Sequence, residues 1–173
     1  MKRLIAFFTV LLFFVSNIEM SAQSKYVKGD TTAVSGKDIV DRAMKYIGTP
    51  YRSGSMNPNR GFDCSGFTSY IFKTQNIILP RDSRSQYIAE SSIDDCRDLR
   101  TGDLVFFSGS RHSSRIGHVG IVTSANPETG EFSFIHSSSR SGIVVSSSNE
   151  AYYAKRYIGA CRILESEVGA PQV

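Results

Sequence analysis

One cysteine of the chain, Cys64, occupies a position suited to nucleophilic chemistry. It stands in RGFDCSGFTSYIF (60–72), after an acid and before a Ser-Gly pair, and Phe67, Tyr70 and Ile71 follow at helical spacing. The spacing predicts that Cys64 lies at the N-terminus of a helix. There, unpaired backbone N–H groups and the positive end of the helix dipole lower the pKa of a thiol, and they can hold the oxyanion that forms when a carbonyl is attacked. The alternative is a small cysteine that packs as a buried hydrophobe.

A nucleophile of this kind needs a base, and the chain has three histidines. His118 opens the predicted strand HVGIVT and His136 closes FSFIH, with the turn-forming stretch SANPETGE between them. A hairpin that pairs Thr123 with Glu131 places His118 opposite His136. One imidazole then takes the thiol proton, while the other orients it and fixes its tautomer, as in a cysteine hydrolase. His112 lies in the loop SGSRHSSRIG, where it is either solvated or faces the substrate.

A metal centre is the other chemistry that these residues could support. Cys64, His118 and His136 could in principle bind zinc, but the sequence contains no close ligand pair such as C-x-x-C or H-x-x-x-H. We therefore expect no metal and no cofactor.

The elements that position these residues change character along the chain. A first helix is predicted between an N-cap at Ser35 and a stop at Gly48 and Pro50, and a short helical segment is predicted around 83–89. The first helix has an apolar stripe of Ile39, Val40, Ala43, Met44 and Ile47. The later runs DLVFF, HVGIVT, FSFIH, GIVVS and YIGACRI are rich in β-branched and aromatic residues and predict strands of an antiparallel sheet. Helices followed by strands indicate a segregated α+β fold.

A chain of 173 residues with 40% hydrophobic content suits one compact domain, which we place at 35–164. Residues 1–22 have the pattern of a secretory signal peptide, because two basic residues precede an apolar run and small residues follow it. An uncleaved membrane anchor is the alternative, although the run is shorter than the ~20 residues of a spanning helix. No cysteine stands near the expected cut, so a lipid anchor is not expected. Residues 23–34 are expected to form a flexible leader and 165–173 a frayed tail.

Charge and cysteine content narrow the function classes. The formal charge is +4, or +3 once residues 1–22 are removed. Basic residues are scattered among acids, which argues against a nucleic-acid binder and suits an exported protein that meets anionic wall polymer.

Three cysteines cannot all pair within one chain. A disulfide between Cys96 and Cys161 is one alternative, but two reduced thiols are favoured, because the sequence does not show that their Cα atoms come within the ~7 Å that a disulfide needs.

Six motifs occur in the order, and at about the spacing, of a known family: TPYRSGS, GFDCSGF, LPRDSRSQ, TGDLVFF, GHVGIV and FIHSSS. The chain resembles the NlpC family of bacterial cell-wall cysteine peptidases from about Gly36 to Leu164. Its segment SSSNEAYYAKRYIGACRI resembles the closing segment of single-domain murein endopeptidases. The resemblance implies a circularly permuted papain-like fold, with helices packed on a small antiparallel sheet. It also implies that Cys64 is the nucleophile, His118 the general base and His136 the polar residue that orients His118.

The resemblance extends to residues of the substrate cleft. Tyr51 matches the family tyrosine near the oxyanion hole, and the positions that shape the cleft are matched by Asp63, Ser65, Arg81 and Ser83. Structural roles are the alternatives for three of them: Tyr51 packs, Asp63 only caps the helix, and Arg81 only pairs with Asp82. Many relatives carry Gly-Gly where this chain has Gly-Ser after the tyrosine motif, and the stretch SGSRHSSRIG also differs from the shortest relatives.

These observations predict an exported cysteine peptidase of the periplasm or cell wall. It is expected to hydrolyse stem peptides or cross-links of peptidoglycan through an acyl-enzyme, and to act as a monomer. The cross-link between D-alanine and the diamino acid is favoured over the γ-D-glutamyl bond, because the closing segment resembles that of enzymes that open cross-links. A peptidase that recycles free wall peptides, an amidase or acyl transferase on the same scaffold, and a non-catalytic wall-binding module are the alternatives.

Overall fold

The computed structural model describes residues 34–109 and 114–164, together with the backbone of Val27 and Lys28. The predicted signal peptide, most of the predicted leader, the predicted tail and His112 lie outside the described residues. In the part of the chain that is described, no helix has the length and apolar character needed to cross a membrane.

Helix α1 spans Gly36–Met44 and begins as the sequence predicts. The Ser35 side chain accepts a hydrogen bond from the Asp38 N–H, and the Asp38 carboxylate accepts one from the Ser35 N–H, which is a capping box. The helix ends before Gly48, and Met44 and Ile47 are 42% and 51% exposed. Only the first part of the predicted stripe is therefore buried.

Helix α2 spans Cys64–Lys73 and has Asp63 as its N-cap, so Cys64 is the first helical residue. The prediction that Cys64 lies at a helix N-terminus is confirmed. Two short α-helices follow, α3 at Ser83–Gln86 and α4 at Ala151–Ala154, together with 3₁₀ turns at Ala89–Ser91 and Cys96–Asp98. The predicted helical segment around 83–89 is thus an α-helical turn followed by a 3₁₀ turn.

Six strands form one antiparallel sheet, in the order β5-β10-β6-β7-β8-β9. Their bounds are Ser92–Ile93 (β5), Leu104–Ser108 (β6), Ile116–Ala125 (β7), Phe132–Ser138 (β8), Gly142–Ser147 (β9) and Tyr157–Cys161 (β10). All five predicted strands are present. Two small antiparallel pairs lie outside this sheet: β1 (Val27–Lys28) with β4 (Ile77–Ile78), and β2 (Met56–Asn57) with β3 (Gly61–Phe62).

The sheet has a core on each face. Helices α1 and α2 cover one face, where Phe67 and Ile71 pack in a cluster with Val119, Ile121 and Ile135. The other face carries the aromatic cluster, made of Leu99, Val105, Phe107, Val122, Phe132, Phe134, Tyr153 and Ala160. Burying each large apolar side chain contributes about 1.5–3 kcal/mol. The sheet that carries His118 and His136 is therefore packed on both sides.

The hairpin of β7 and β8 contains a β-bulge. Val122 is paired with Phe134 and Ser124 with Ser133, so Thr123 is an extra residue on β7 without a partner in the ladder.

The pairing of Thr123 with Glu131 that we predicted is wrong. The Asn126 N–H donates a 2.8 Å hydrogen bond to the Glu131 carbonyl, and the Gly130 N–H donates one of 2.8 Å to the Asn126 carbonyl. These two bonds close the turn, and the strands therefore pair in a register that differs from the predicted one.

The bulge determines which face the histidines share. Continued past Ile121 and Ile135, the pairing places His136 beside Gly120, which is two residues from His118 on the same face. Without the extra residue, the register near the turn would place His136 opposite Ile121, and His118 would point to the other face. His118 and His136 are therefore diagonal neighbours.

All three cysteines are free thiols, as the favoured expectation had it. Cys161 belongs to the cluster that faces the helices, whereas Cys96 packs against the aromatic cluster on the other face. The sheet lies between the two sulfur atoms.

Candidate active site

A cavity of about 740 Å³ brings the predicted catalytic residues together. Cys64, Tyr51 and His118 border it, and the opposite wall is formed by the turn after β8, by β9 and by α4. Cys64 is the first residue of α2 and His118 lies on β7, and these two elements pack against each other.

Helix α2 holds Cys64 at its first position through a tight N-terminus. The Asp63 carboxylate accepts a 2.7 Å hydrogen bond from the Gly66 N–H. The Ser55 carbonyl fills the space that a β carbon at Gly66 would need, so the loop before the helix lies directly on its first turn. The side chain of Cys64 is half-buried there.

Burial raises the pKa of the Cys64 thiol, and the charge of Asp63 raises it further. Backbone N–H groups of Ser65, Val119 and Cys64 act in the opposite direction without reversing the shift. The lowered pKa that we expected from the helix N-terminus is therefore wrong. Before any proton transfer, Cys64 is a neutral thiol at pH 7.

The two histidines meet, as predicted. His118 Nε2 and His136 Nδ1 are 2.9 Å apart, and the ring planes are nearly perpendicular. A β carbon at Gly120 would lie 3.2 Å from the β carbon of His136 and 2.6 Å from the Phe134 ring. The absence of a side chain at Gly120 leaves the space through which His136 reaches His118. This contact leaves Nδ1 as the nitrogen of His118 that can serve Cys64.

Burial makes both imidazoles neutral at pH 7. It lowers the pKa of His118 to about 4. Burial, and secondarily the charge on His118, lowers the pKa of His136 to about 3. Across 34–109 and 114–164, the His, Cys, Asp and Glu side chains form no group of three or more that could hold a metal ion.

His136 has two further partners that the sequence did not indicate. Its Nε2 lies 3.1 Å from the Tyr153 hydroxyl and 3.3 Å from the Ser146 hydroxyl. Tyr153 is on α4 and packs edge-on against Phe134. Ser146 could have been found from the alternation of β9, but nothing in NEAYYAKRY indicates that Tyr153 turns inward.

Three of the predicted cleft residues form one polar cluster. Arg81 binds Asp63 in a bidentate manner, with nitrogen–oxygen distances of 2.9 and 2.7 Å, and its Nη1 also donates to the Ser65 hydroxyl at 3.1 Å. The proposed exclusive pairing of Arg81 with Asp82 is therefore wrong. Asp82 instead caps α3 by accepting from the Ser85 N–H at 2.9 Å.

Tyr51 and Ser83 lie outside that cluster. Tyr51 borders the cavity and forms a parallel bridge with Phe62. Burial raises the pKa of Tyr51, and the nearby charges of Cys64 and Asp63 raise it further, so its hydroxyl stays protonated. Ser83 is half-buried in the first turn of α3, and it does not border the cavity.

A buried glutamine, which the sequence analysis did not single out, fixes the Arg81 segment to the cysteine helix. Gln86 Nε2 donates to the Pro80 carbonyl at 2.8 Å, to Ser69 Oγ at 2.9 Å and to the Ser65 carbonyl at 3.1 Å. Its Oε1 accepts from Thr68 at 2.7 Å. These bonds hold the chain just before Arg81. The buried Gln86 therefore helps to fix the position of the Asp63–Arg81 ion pair.

Residues 48–162 match the family model described as "NlpC/P60 family". The chain belongs to the NlpC/P60 family. The matched span contains Tyr51, Cys64, Arg81, His118 and His136, so every predicted site residue lies inside the NlpC/P60 domain.

Curated NlpC/P60 relatives carry peptidase names. The chain is 39% identical over 127 residues to the murein DD-endopeptidase MepS/murein LD-carboxypeptidase of Escherichia coli K12, a match that covers 73% of this chain and 62% of the relative. It is 39% identical over 105 residues to the bifunctional muramidase/DL-endopeptidase CwlT of Bacillus subtilis 168, which covers 56% of this chain and 32% of the relative. The chain spans less than two thirds of the length of either relative.

Solved NlpC/P60 structures share the fold. A NlpC/P60 family protein from Bacillus cereus ATCC 10987 superposes with a TM-score of 0.68 at 30% identity, over 79% of this chain and 42% of the other. The α+β, papain-like fold expected from the resemblance is confirmed.

The NlpC/P60 cavity is polar on the wall opposite Cys64. Arg140, in the turn between β8 and β9, and Glu150, just before α4, both border it. Tyr152 borders it as well, is 57% exposed, and lies under the Arg156 guanidinium, whose carbon is 4.1 Å from the ring centroid. This wall offers a cation, an anion and an aromatic ring to a bound ligand.

A close backbone contact borders the cavity beside His118. A β carbon at Gly117 would lie 2.5 Å from the Cα of Gly109, and one at Gly109 would lie 3.0 Å from the Cα of Gly117. The ends of β6 and β7 therefore touch through bare backbone immediately before His118. We name this contact the glycine clasp.

Proposed function

We propose that the chain is an exported cysteine peptidase that hydrolyses peptide bonds of bacterial peptidoglycan. Cys64 is the nucleophile, His118 is the general base, and His136 orients His118. Tyr51 lies beside the oxyanion hole. Asp63, Ser65 and Arg81 support the cleft through the polar cluster at the start of α2, whereas Ser83, which does not border the cavity, has no proposed contact with the substrate. The protein acts as a monomer without a metal or cofactor.

One observation supports this proposal most directly. Cys64 at the N-terminus of α2 borders the same cavity as His118, and His118 is bonded through Nε2 to His136 at 2.9 Å. A nucleophile, a base and an orienting group are the three parts of a thiol hydrolase. Membership of the NlpC/P60 family, whose curated relatives are named as endopeptidases, supports the same conclusion.

The first half of the reaction forms a thioester. His118 Nδ1 takes the thiol proton as Cys64 Sγ bonds to the carbonyl carbon, and the carbonyl electron pair moves to oxygen. Backbone N–H groups at the start of α2 and the Tyr51 hydroxyl hold this oxyanion. When the carbonyl re-forms, the carbon–nitrogen bond breaks, and the proton on His118 passes to the leaving amine.

The second half uses water. His118 removes a proton from water, whose oxygen attacks the thioester carbon. The carbon–sulfur bond then breaks, and Cys64 leaves as a thiol with the proton that His118 held. The thiol and the imidazole are both neutral before the reaction. Positive charge on His118 and negative charge on the substrate oxygen therefore arise together, and their attraction offsets part of the cost of forming charges in a buried site.

Other features support export and a peptidoglycan substrate. Residues 1–22 have the pattern of a signal peptide, and the remaining chain is mildly basic, which suits contact with an anionic wall. Arg140 and Glu150 on the open wall suit peptides that carry free carboxylates and amines. A γ-linked D-glutamate retains such a carboxylate at its α position.

Two bonds of the stem region are candidates. The names of the relatives include a DD-endopeptidase and a DL-endopeptidase, so they support both candidates. We propose the D-alanyl to diamino-acid cross-link as the favoured substrate, because the segment 146–163 resembles the closing segment of single-domain enzymes that open cross-links. The γ-D-glutamyl to diamino-acid bond is the second candidate.

The test is mass spectrometry of purified peptidoglycan and of isolated cross-linked dimers after digestion. The wild-type protein is expected to convert dimers to monomers, and Cys64→Ala is expected to release none. Cys96→Ala is the matched control, because Cys96 is a half-buried thiol that does not border the cavity. Its activity is expected to equal that of the wild type.

Other outcomes identify the alternatives. Free stem peptides cut after D-glutamate, with dimers left intact, would replace the cross-link proposal with peptide recycling. Whole stems released from the glycan would indicate an amidase. A wild-type protein that binds peptidoglycan without changing its mass spectrum would be a wall-binding module, and the proposed function would be wrong.

A further inference from the structure

The residue that caps the cysteine helix carries a charge that opposes the proposed chemistry. Asp63 precedes Cys64 and holds the first turn of α2 by accepting a 2.7 Å hydrogen bond from the Gly66 N–H. The thiolate of Cys64 and the oxyanion of the substrate are both negative. The Asp63 side chain is 13% exposed, so water screens its charge weakly. A bare carboxylate at this position would therefore disfavour both species.

Arg81 lies directly against that carboxylate. Its Nη1 donates to Asp63 Oδ1 at 2.9 Å and its Nη2 donates to Asp63 Oδ2 at 2.7 Å, so the guanidinium contacts both oxygens. Nη1 also donates to the Ser65 hydroxyl at 3.1 Å, on the residue that follows Cys64. Asp63 can therefore keep its hydrogen bond to α2 while the positive charge of Arg81 offsets its negative charge.

Helix capping by an aspartate does not in itself require such an arginine. Asp82 caps α3 by accepting a 2.9 Å hydrogen bond from the Ser85 N–H, and it forms no ion pair with any described residue. Helix α2 differs from α3 because it begins with the nucleophile. The arginine at the cap of α2 is therefore placed where an uncompensated charge would affect the reaction.

We propose that Arg81 is a positioning residue that acts on Cys64 through Asp63. Its guanidinium offsets the charge of the cap, so that negative charge can form on the Cys64 sulfur and on the substrate oxygen. The same ion pair leaves the hydrogen bond from Gly66 to Asp63 intact, so the helix N-terminus is kept without the full electrostatic cost of a carboxylate beside the thiol.

The charges around Cys64 support this role. Beside burial, which has the larger effect, the charge of Asp63 raises the pKa of the thiol. The hydrogen bond with Asp63 raises the pKa of Arg81, and the charge of Cys64 raises it further, so the guanidinium and the thiolate attract each other. Tyr51 and His118, which border the cavity with Cys64, are neutral at pH 7. Arg140 and Glu150 belong to the opposite wall.

The proposal rests on the assignment of Cys64 as nucleophile, and its test does not require wall substrate. The rate of Cys64 alkylation by iodoacetamide is measured by peptide-level mass spectrometry from pH 5 to about pH 10, a range that includes the ordinary thiol pKa of 9.0. The variants are Arg81→Gln, Asp63→Asn and the double variant. Asparagine is a good N-cap residue, so Asp63→Asn removes the charge and keeps a capping oxygen.

The expected results follow the sign of each charge. Arg81→Gln leaves the Asp63 charge unpaired, so alkylation at pH 7 slows about tenfold and the midpoint of the pH–rate curve rises by about one pH unit. Asp63→Asn leaves the cation uncompensated, so alkylation is faster than in the wild type. The double variant removes two opposite charges and returns close to the wild-type rate. If Arg81 only held its loop in place, the double variant would stay as slow as Arg81→Gln.

Arg97→Gln is the matched control. Arg97 also binds a capping aspartate, Asp95 at the 3₁₀ turn Cys96–Asp98, but neither residue borders the cavity. Its Cys64 alkylation should follow the wild-type pH–rate curve. Circular dichroism checks that each variant is folded. If Arg81→Gln does not fold, the comparison of Asp63→Asn with the wild type decides the test.

Three results would overturn the proposal: a folded Arg81→Gln variant with the wild-type pH–rate curve, a double variant as slow as Arg81→Gln, or an Asp63→Asn variant no faster than the wild type. Failure of the wild-type protein to digest peptidoglycan would instead reject the proposed function, because alkylation is measured without that substrate.

Discussion

The Ser137 hydroxyl donates a 2.8 Å hydrogen bond to the carbonyl of Phe62. Ser137 follows His136 on β8, and Phe62 precedes Asp63, the cap of the cysteine helix. The same carbonyl accepts from the Arg52 N–H at 2.9 Å. One buried bond thus fixes the strand of His136 to the segment that leads into Cys64.

Removing that bond is expected to lower kcat clearly and the free energy of unfolding only slightly. Ser137→Ala deletes one buried hydrogen bond, which lowers the free energy of unfolding by about 1 kcal/mol. It also loosens Cys64 relative to His118, so kcat falls while KM changes little. Thr74→Ala is the control, because it deletes a 2.6 Å hydroxyl–carbonyl bond to Ile71 at the far end of α2. Equal kcat values for the two variants would contradict the coupling.

Thiol reactivity is expected to depend on His118 rather than on the helix N-terminus alone. Burial raises the pKa of Cys64, so a thiol without a base reacts slowly at pH 7. Peptide-level mapping after iodoacetamide treatment should show Cys64 reacting fastest of the three cysteines in the wild type. In His118→Gln the rate at pH 7 should fall at least about tenfold and recover only above the ordinary thiol pKa of 9.0. An unchanged rate in His118→Gln would reject His118 as the base.

The buried histidines are expected to make the fold sensitive to mild acid. The ordinary histidine pKa is 6.5, and the folded values are about 4 for His118 and about 3 for His136. Below pH 6.5 the unfolded chain binds protons that the folded protein does not, so stability falls as the pH falls towards 4. Each histidine contributes a slope of up to about 1.4 kcal/mol per pH unit.

Urea unfolding between pH 7 and pH 5 measures that slope. A His112→Gln background leaves only the two buried imidazoles to titrate, and His136→Gln in that background should have a shallower slope by up to one proton. Identical slopes would show that His136 is not held neutral by burial.

A methyl group at Gly120 is expected to disturb the histidine pair. The β carbon of Gly120→Ala would lie 2.6 Å from the Phe134 ring and 3.2 Å from the His136 β carbon. Overpacking of this kind lowers the free energy of unfolding by about 1–3 kcal/mol and displaces His136 from His118. Gly159→Ala is the matched control on β10, because its nearest neighbour is the Tyr87 ring at 3.4 Å, an ordinary contact. Full activity in Gly120→Ala would show that the space beside His136 is not needed.

The cation on the open wall is expected to select anionic stems. Arg140 borders the cavity, and a charge-assisted hydrogen bond contributes about 1.5 kcal/mol at the lower end of its range, or roughly tenfold in affinity. Arg140→Ala should raise KM about tenfold for stem peptides with a free α-carboxylate on D-glutamate, whereas KM for α-amidated peptides should change little. Arg140→Lys should retain part of the preference. Equal losses on both peptides would show that Arg140 does not bind the carboxylate.

Local periodicity was sufficient to predict where Cys64 lies in the fold. The spacing of Phe67, Tyr70 and Ile71 indicated a helix, and that helix begins at Cys64. The strands followed from their β-branched and aromatic runs, and they form the antiparallel sheet that was expected. These features depend on neighbours within a few residues, which a sequence displays directly.

The properties that sequence did not predict depend on contacts between distant segments. The meeting of His118 and His136 was predicted, but their register depends on the bulge at Thr123, which the alternation of residue types does not show. The direction of the Cys64 pKa depends on burial beneath other elements. Tyr153 reaches His136 only because a single turn of helix packs it onto the sheet.

The glycine clasp joins the end of β6 to the start of β7. Because the backbones of Gly109 and Gly117 are in contact, we expect the position of His118 to be set by this contact rather than by the number of residues between the two glycines. Both glycines border the cavity, so we expect substitutions and insertions between them to change the side chains available beside it while His118 stays in place. New substrate preferences can therefore arise in this segment without displacing His118. A library of loops grafted between the two glycines offers a way to engineer them.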